Sequence, residues 1–261
     1  MISTENKMYK IANWNLERPK AETKKTKLAV AKILEINADI IVLTETSKSV
    51  DLTKVYPFHI STKSYERTKD EQWVTIWSKW EITKQIETFD NFRTVSGIIK
   101  SPIGDIIIFG TIIPYHQAGV SGIRYGNLNY KIWEYHEKDL YAQRQNWQNL
   151  IEIEKLPLLV IGDFNQTRFN CRGYGTHKVR QILTDILTEL DLQCVTELDF
   201  SEKYLTEDPI KKKVRNNIDH ICISNTLLKK LNKIKVGAWN HFTENNEFMS
   251  DHNGVYIEFE S

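Results

Sequence analysis

Carboxylates placed at the ends of apolar runs are the most informative feature of this 261-residue chain. Asn15 and Glu17 close the run 9–15, Glu45 follows 40–43, and Asp163 and Asn165 follow 158–161. Asp219 sits inside 218–223 between Ile218 and Ile221, while Asp251 and His252 immediately precede 254–259. In open α/β sheets, ligands collect at the rim where strands end. Carboxylates gathered at such a rim repel one another and lose hydration, so they need a proton or a cation to offset both costs. A hard divalent ion is the natural compensation, because Mg²⁺ takes one or two carboxylates and completes its shell with water and phosphate oxygens. Metal-assisted hydrolysis of a phosphate ester is the chemistry that fits. Asp163 and Asn165, two positions apart, face the same way if the chain there is extended.

These side chains can act together only if strands bring them to one place. Residues 9–15 read as a strand, and 21–36 as a helix, because Leu28, Ala29, Ile33 and Ile36 recur near helical spacing. The continuous apolar run 40–43 suits a strand covered on both faces. The middle of the chain is β-rich, with strands expected at 74–77, 82–86, 94–100 and 106–112 and a turn at Ser101-Pro102-Ile103-Gly104. Residues 114–129 carry Gly119, Gly122 and Gly126 and read as a loop, followed by a long helix over 132–155. A buried strand at 158–161, a helix at 178–190 and strands at 218–223, 234–238 and 254–259 complete the chain. Two β-α-β-like halves around a β-rich middle predict two sheets packed together with helices outside, in one domain over 1–261. Residues 1–7 are polar and expected to fray.

Composition removes several classes. Hydrophobic residues at 41% and charged residues at 26% suit a globular core, and 11 glycines with 6 prolines are too few for a collagenous or disordered chain. Three scattered cysteines, Cys171, Cys194 and Cys222, rule out a disulfide scaffold and suit a reducing compartment. The net charge of +1 advertises no polyanionic partner globally, leaving local basic patches to do that work. No run is long and apolar enough to span a membrane, and the N-terminus lacks a secretory core, so a cytoplasmic location is expected. HExxH, CxxC and Walker A patterns are absent, and no protein partner is implied.

Five segments in this order carry a resemblance: Asn13-Trp14-Asn15-Leu16-Glu17, Ile41-Val42-Leu43-Thr44-Glu45-Thr46, Ile161-Gly162-Asp163-Phe164-Asn165, Asn217-Ile218-Asp219-His220-Ile221 and Ser250-Asp251-His252-Asn253-Gly254. They are similar to the ordered motifs of the endonuclease/exonuclease/phosphatase superfamily. The resemblance implies an α/β fold, a four-layer sandwich of two mixed β-sheets packed face to face with helices on both outer sides. It also implies Mg²⁺ as cofactor, with Mn²⁺ as a substitute. Glu45 would be the principal metal ligand, with Asn15 beside it and Asp251 completing the metal-side carboxylates. Asp163 would align or deprotonate the attacking water, and Asn165 would hold the phosphate or that water. His252 would contact the scissile phosphate, with Asp219 fixing its tautomer. The segment Gly110–His116 resembles the strand whose end carries a His, Tyr or Asn near the leaving group, a place open to either Tyr115 or His116.

A basic run, Lys211, Lys212, Lys213 and Arg215, leads directly into the strand bearing Asp219 and could grip flanking phosphates or form a solvated loop. Arg124 and Tyr125 lie in the glycine-containing loop, a candidate substrate lid. Trp73 and Trp77 are an even number apart and should share one strand face in the core. The expected activity is hydrolysis of phosphate esters, with a nuclease preferred over a phosphatase or phosphodiesterase acting on an inositol phosphate or phospholipid headgroup. Asn216 and Asn217 stand where abasic-site endonucleases carry Trp and Arg, which argues against that specialisation. A non-catalytic binding module is the competing class. Each motif position nevertheless holds a chemically competent residue, which favours the enzyme.

Overall fold

Alternation and caps explain why these residues form the elements they do. In the computed structural model, which describes residues 7–64, 68–121, 125–169, 173–200 and 216–260, β1 (Met8–Asn15) and β2 (Ile40–Ser47) are parallel neighbours joined by α1 (Lys24–Ile36). Helix α1 starts three residues later than its apolar periodicity suggests. Thr23 caps it by accepting a hydrogen bond from the Thr26 N–H at 3.3 Å, and Asn37 ends it in the left-handed conformation. Next come β3 (Phe58–Ser61), β4 (Glu71–Ser78), β5 (Ile82–Ile86), β6 (Thr94–Ser101) and β7 (Gly104–Ile112). Helix α2 (Glu134–Glu154) carries the chain from β7 to its parallel neighbour β8 (Leu158–Asp163). Trp133, at φ 71°, is incompatible with a helical turn and sets the start of α2 at Glu134 instead of residue 132. The remaining elements are α3 (His177–Glu189), β9 (Leu192–Cys194), β10 (Asp219–Ser224), α4 (Asn225–Leu228), β11 (Asn232–Trp239) and β12 (Gly254–Glu260).

The strands form two six-stranded sheets, ordered β11-β12-β1-β2-β4-β3 and β5-β6-β7-β8-β10-β9. Each mixes one parallel pair, β1–β2 or β7–β8, with antiparallel neighbours. A core containing Ile11, Val42, Val74 and Ile257 from the first sheet and Ile108, Ile161 and Ile221 from the second fills the space between them. Ile33 and Ala29 of α1 pack on the outer face of the first sheet with Trp14 and Leu43. Trp147 of α2 and Leu183 of α3 cover the outer face of the second, over Phe109 and Val160. The result is the expected sandwich: helix, mixed sheet, mixed sheet, helices. Trp147 is fully buried there, and its truncation to Ala should cost about 3–5 kcal/mol. Gly162 faces Thr111 across β7–β8 so closely that a Cβ would lie 1.8 Å from the Thr111 carbonyl oxygen. Only glycine fits immediately before Asp163.

One expectation about the core changes. Trp73 packs into the inter-sheet core while Trp77 packs outside the first sheet, so the two do not share a face, although both are buried. Glu45, which falls between the paired residues Thr44–Val74 and Thr46–Gln72, has φ 43° and breaks the alternation opposite Trp73. The edge strands β3 and β9 alternate apolar and polar residues over only four and three positions, too short a pattern to mark them in the sequence. No helix among the described residues is long and apolar enough to cross a membrane. Expectations for residues 1–6, Arg124, Cys171, Lys211, Lys212, Lys213 and Arg215 lie outside the described residues.

Candidate active site

Five separate chain segments meet where the two sheets face each other. Asn13 and Asn15 have the same parity on β1 and are fully buried. Asn13 Nδ2 donates to Asp219 Oδ1 at 3.4 Å, and Asn15 Nδ2 donates to Asp163 Oδ2 at 3.1 Å, so both asparagines reach across to the second sheet. Asp163 and Asp219 are direct partners in the antiparallel β8–β10 ladder and therefore project on one face. Trp14, of opposite parity, turns to the outer core, and its Nε1 donates to the His252 carbonyl at 2.7 Å. That bond, with Ser250 Oγ donating to the Asn15 carbonyl at 2.5 Å, pins the turn before β12 beneath the site.

His252 closes the group. Its Nδ1 lies 2.6 Å from Asp219 Oδ2 and its Nε2 lies 3.8 Å from Asp251 Oδ1. Asp163, Asp219 and His252 each offer an atom within 4.8 Å of the others. Glu45 hydrogen-bonds Asn15 and feels the charges of His252 and Asp251. All five residues Glu45, Asp163, Asp219, Asp251 and His252 thus share one locality. Asn165 joins them by a different route from the extended geometry expected: at φ 49° it turns back on Asp163. Its N–H donates to Asp163 Oδ1 at 2.9 Å, while its Nδ2 donates to Asp163 Oδ2 at 3.1 Å and the Ile113 carbonyl at 2.9 Å. Left-handed Glu17, Arg18, Glu45 and Asn165 cluster here, as strained residues do where surrounding structure over-determines them.

The electrostatics are those of acids short of positive charge. Burial pushes Asp163 up to about 8, with Asp219 and Glu45 adding to the rise and His252 opposing it. Burial also raises Glu45, against the pull of Arg18, whose Nε lies 2.6 Å from its Oε2. Burial alone would lower His252, but the Asp219 carboxylate brings it up to about 10. A hard divalent ion fits this donor set. Glu45, Asp163, Asp219 and Asp251 offer carboxylate oxygens, and a cation would offset the burial that raises Glu45 and Asp163. The tightest grouping, Asp163–Asp219–His252, differs from the set Glu45, Asn15 and Asp251 that the resemblance assigns to metal, and it is held by the His252–Asp219 hydrogen bond.

Among the remaining expected residues, His116 Nδ1 pairs with the Tyr174 hydroxyl at 2.6 Å, and Tyr115 packs edge-on to His116. Burial lowers His116. Burial, with Asp163 adding, pushes the Tyr174 hydroxyl up to about 12. Trp133 lies 5.6 Å from the His116 ring and 5.3 Å from Tyr174, so these three half-buried rings form an aromatic wall on the Asp163 side. Glu17 is held by Lys25 Nζ at 2.6 Å. Sequence reading missed Asn13, Arg18, Trp133 and Tyr174. Asn13 was within reach, because it shares parity with Asn15 on a strand.

The chain matches the Endonuclease/Exonuclease/phosphatase family over residues 12–252. No protein with a curated description matches it. Its fold is similar to an AP endonuclease from Archaeoglobus fulgidus, with TM-score 0.69, 15% identity, and 96% of this chain and 99% of that one covered. A 3′ phosphatase from Neisseria bound to product DNA hairpin gives TM-score 0.68 at 17% identity, covering 97% of this chain and 100% of that one. The human Nocturnin catalytic domain with bound sulfate gives 0.63 at 16%, covering 97% and 95%. With the motifs, the fold and this match in agreement, the chain belongs to the Endonuclease/Exonuclease/phosphatase family, a family of enzymes that hydrolyse phosphoric ester bonds.

Proposed function

We propose that this chain is a divalent-metal-dependent phosphodiesterase acting on nucleic acid. The observation that carries this reading is the joining of Asp163, Asp219 and His252 within 4.8 Å, with Asn15 tying Asp163 to the opposite sheet. Glu45, Asn15 and Asp251 would hold Mg²⁺ or Mn²⁺. When bound, the ion supplies charge neutralisation at a phosphoryl oxygen and at the carboxylates that hold it.

The chain's own groups do the rest. With a bound cation offsetting the burial that raises it, Asp163 would be a carboxylate and accept the proton of the attacking water, and Asn165, locked by two hydrogen bonds to Asp163, holds the water or a phosphate oxygen. Asp219 occupies His252 Nδ1, which directs Nε2–H at the phosphate. With His252 raised to about 10, the imidazole is protonated at neutral pH and donates to the developing charge. Either His116, which is backed by Tyr174, or Tyr115 would stand on the leaving-group side. Phosphoryl hydrolysis gains mostly from such positioning and charge neutralisation.

The aromatic wall of His116, Trp133 and Tyr174 supports nucleic acid as substrate, since nucleobases stack on such rings. Among the similar structures, the Neisseria phosphatase holds a DNA product. The test is a panel of single- and double-stranded DNA, abasic DNA, RNA and inositol phosphates with Mg²⁺ at rising salt. Turnover of oligonucleotides whose apparent affinity falls steeply with salt is expected. Turnover confined to inositol phosphates with a flat salt response would move the substrate to the small-molecule class. Inactivity on every substrate would leave a binding module.

A further inference from the structure

Cys194 and Cys222 take no part in the site, yet they face each other directly across β9 and β10. The adjacent pair, Val195 and Ile221, is the hydrogen-bonded one, with the Val195 N–H donating to the Ile221 carbonyl at 2.9 Å. Pairing alternates along an antiparallel ladder, so Cys194 and Cys222 occupy a non-hydrogen-bonded position, where opposed Cα atoms stand about 4.5 Å apart. Disulfides bridge Cα separations of about 4.4–6.8 Å. Both thiols are free, project to the same face beneath α3, and are in hydrogen-bond contact with each other. Strand β9 is the edge of its sheet, and Cys194 keeps 7% of its surface exposed against none for Cys222. His220 hydrogen-bonds Cys194, and the Arg168 guanidinium adds positive charge nearby.

We propose that Cys194 and Cys222 form a reversible redox pair that closes to a cross-strand disulfide in the presence of hydrogen peroxide. The less buried thiol, Cys194, reacts first. The Cys194 thiolate attacks one peroxide oxygen, an S–O bond forms, the O–O bond breaks, and the departing hydroxide takes a proton to leave as water. Cys222 then displaces the oxygen of the sulfenic acid: the S–S bond forms, the S–O bond breaks and a second water leaves. Two thiols thus give two electrons to one peroxide, and a small dithiol reverses the change. Burial alone would raise the Cys194 thiol, but its Cys222, His220 and Arg168 contacts bring it well below the usual range, whereas Cys222 is raised. That asymmetry suits Cys194 as attacker and Cys222 as resolver. The bond would tie the edge strand to β10, the strand that carries Asp219. This pair is independent of the substrate assigned above.

The experiment is a peptide map of the intact chain after hydrogen peroxide, with free thiols blocked by N-ethylmaleimide in denaturant before digestion. The expected product is one linked peptide pair containing Cys194 and Cys222, about 2 Da lighter than the two thiol peptides together and lost on dithiothreitol treatment. Cys171→Ser should retain the link, and Cys222→Ser should abolish it, leaving Cys194 as a sulfenic acid that dimedone captures. Cys194 and Cys222 recovered fully alkylated, linked instead to Cys171 or to a second chain, or oxidised separately to sulfinic acids would each overturn the proposal. The wild-type map decides the matter even if a variant fails to fold.

Discussion

His252 Nδ1 and Asp219 Oδ2 lie 2.6 Å apart, joining the turn that precedes the last strand of one sheet to a strand of the other. In the proposed mechanism this contact fixes which imidazole nitrogen is left for the substrate, and it accounts for the raised proton affinity of His252 in a site where burial alone would lower it.

Asp219→Asn tests that contact. Turnover should fall about 100-fold or more, the range of a misoriented general acid or charge stabiliser, while the far-UV spectrum stays native. Proton NMR should show the His252 ring titrating at lower pH than in the wild type. An unchanged His252 titration would mean that Asp219 does not set it.

Arg18 holds Glu45 through its Nε at 2.6 Å, and its N–H donates to the Glu45 carbonyl at 2.7 Å. If Glu45 holds the ion as proposed, the Arg18 guanidinium would compete with it for the same carboxylate. Arg18→Gln should therefore tighten Mn²⁺ binding by roughly three- to five-fold in calorimetric titration, matching the ~1 kcal/mol of a partly exposed pair. Weaker Mn²⁺ binding in the variant would show Arg18 supporting the ion site.

The pH dependence of the metal-free fold has a definite sign. His252, raised to about 10, contributes stability that is full below its unfolded value near 6.5 and is lost as pH climbs towards 10. Asp163, raised to about 8, prefers its acid form when folded, so it costs stability as pH rises from about 4 to 8. Both act in the same direction. In EDTA the melting temperature should fall steadily between pH 5 and 9, and His252→Gln should reduce the alkaline part of that slope. A melting temperature that rises across this window would contradict the charge balance described.

Trp133 packs against Tyr174 and is held in a left-handed conformation at the start of α2. Trp133→Ala should raise the KM for a short oligonucleotide roughly 10-fold, within the ~1–3 kcal/mol of one stacked base, with kcat little altered. An unchanged KM would remove the wall from substrate binding.

Much of this was readable from the chain. The strands bearing Asn15, Glu45, Asp163, Asp219 and the run after His252 announce themselves as apolar runs ending in polar groups, and βαβ connection through α1 and α2 follows from their periodicity. Phe58–Ser61 and Leu192–Cys194 escaped because their alternation runs over only four and three residues, too short to stand out from the flanking loops. Asn165 was placed by extended-chain parity, but it adopts a left-handed turn back onto Asp163, held by two local hydrogen bonds to the Asp163 side chain and one to the distant Ile113 carbonyl. Arg18 on Glu45, and Trp133 beside Tyr174, pair residues from distant segments whose meeting depends on the packing of both sheets.

The most direct measurement is phosphodiester hydrolysis by EDTA-stripped protein as Mg²⁺ is titrated back, for the wild type, Glu45→Gln and Asp163→Asn. Activity should be absent without the ion and restored by it in the wild type. Glu45→Gln should need markedly more Mg²⁺, and Asp163→Asn should remain at least about 100-fold slower at saturation. Full activity in EDTA, or an Asp163→Asn chain as fast as the wild type, would contradict a shared ion-binding catalytic centre.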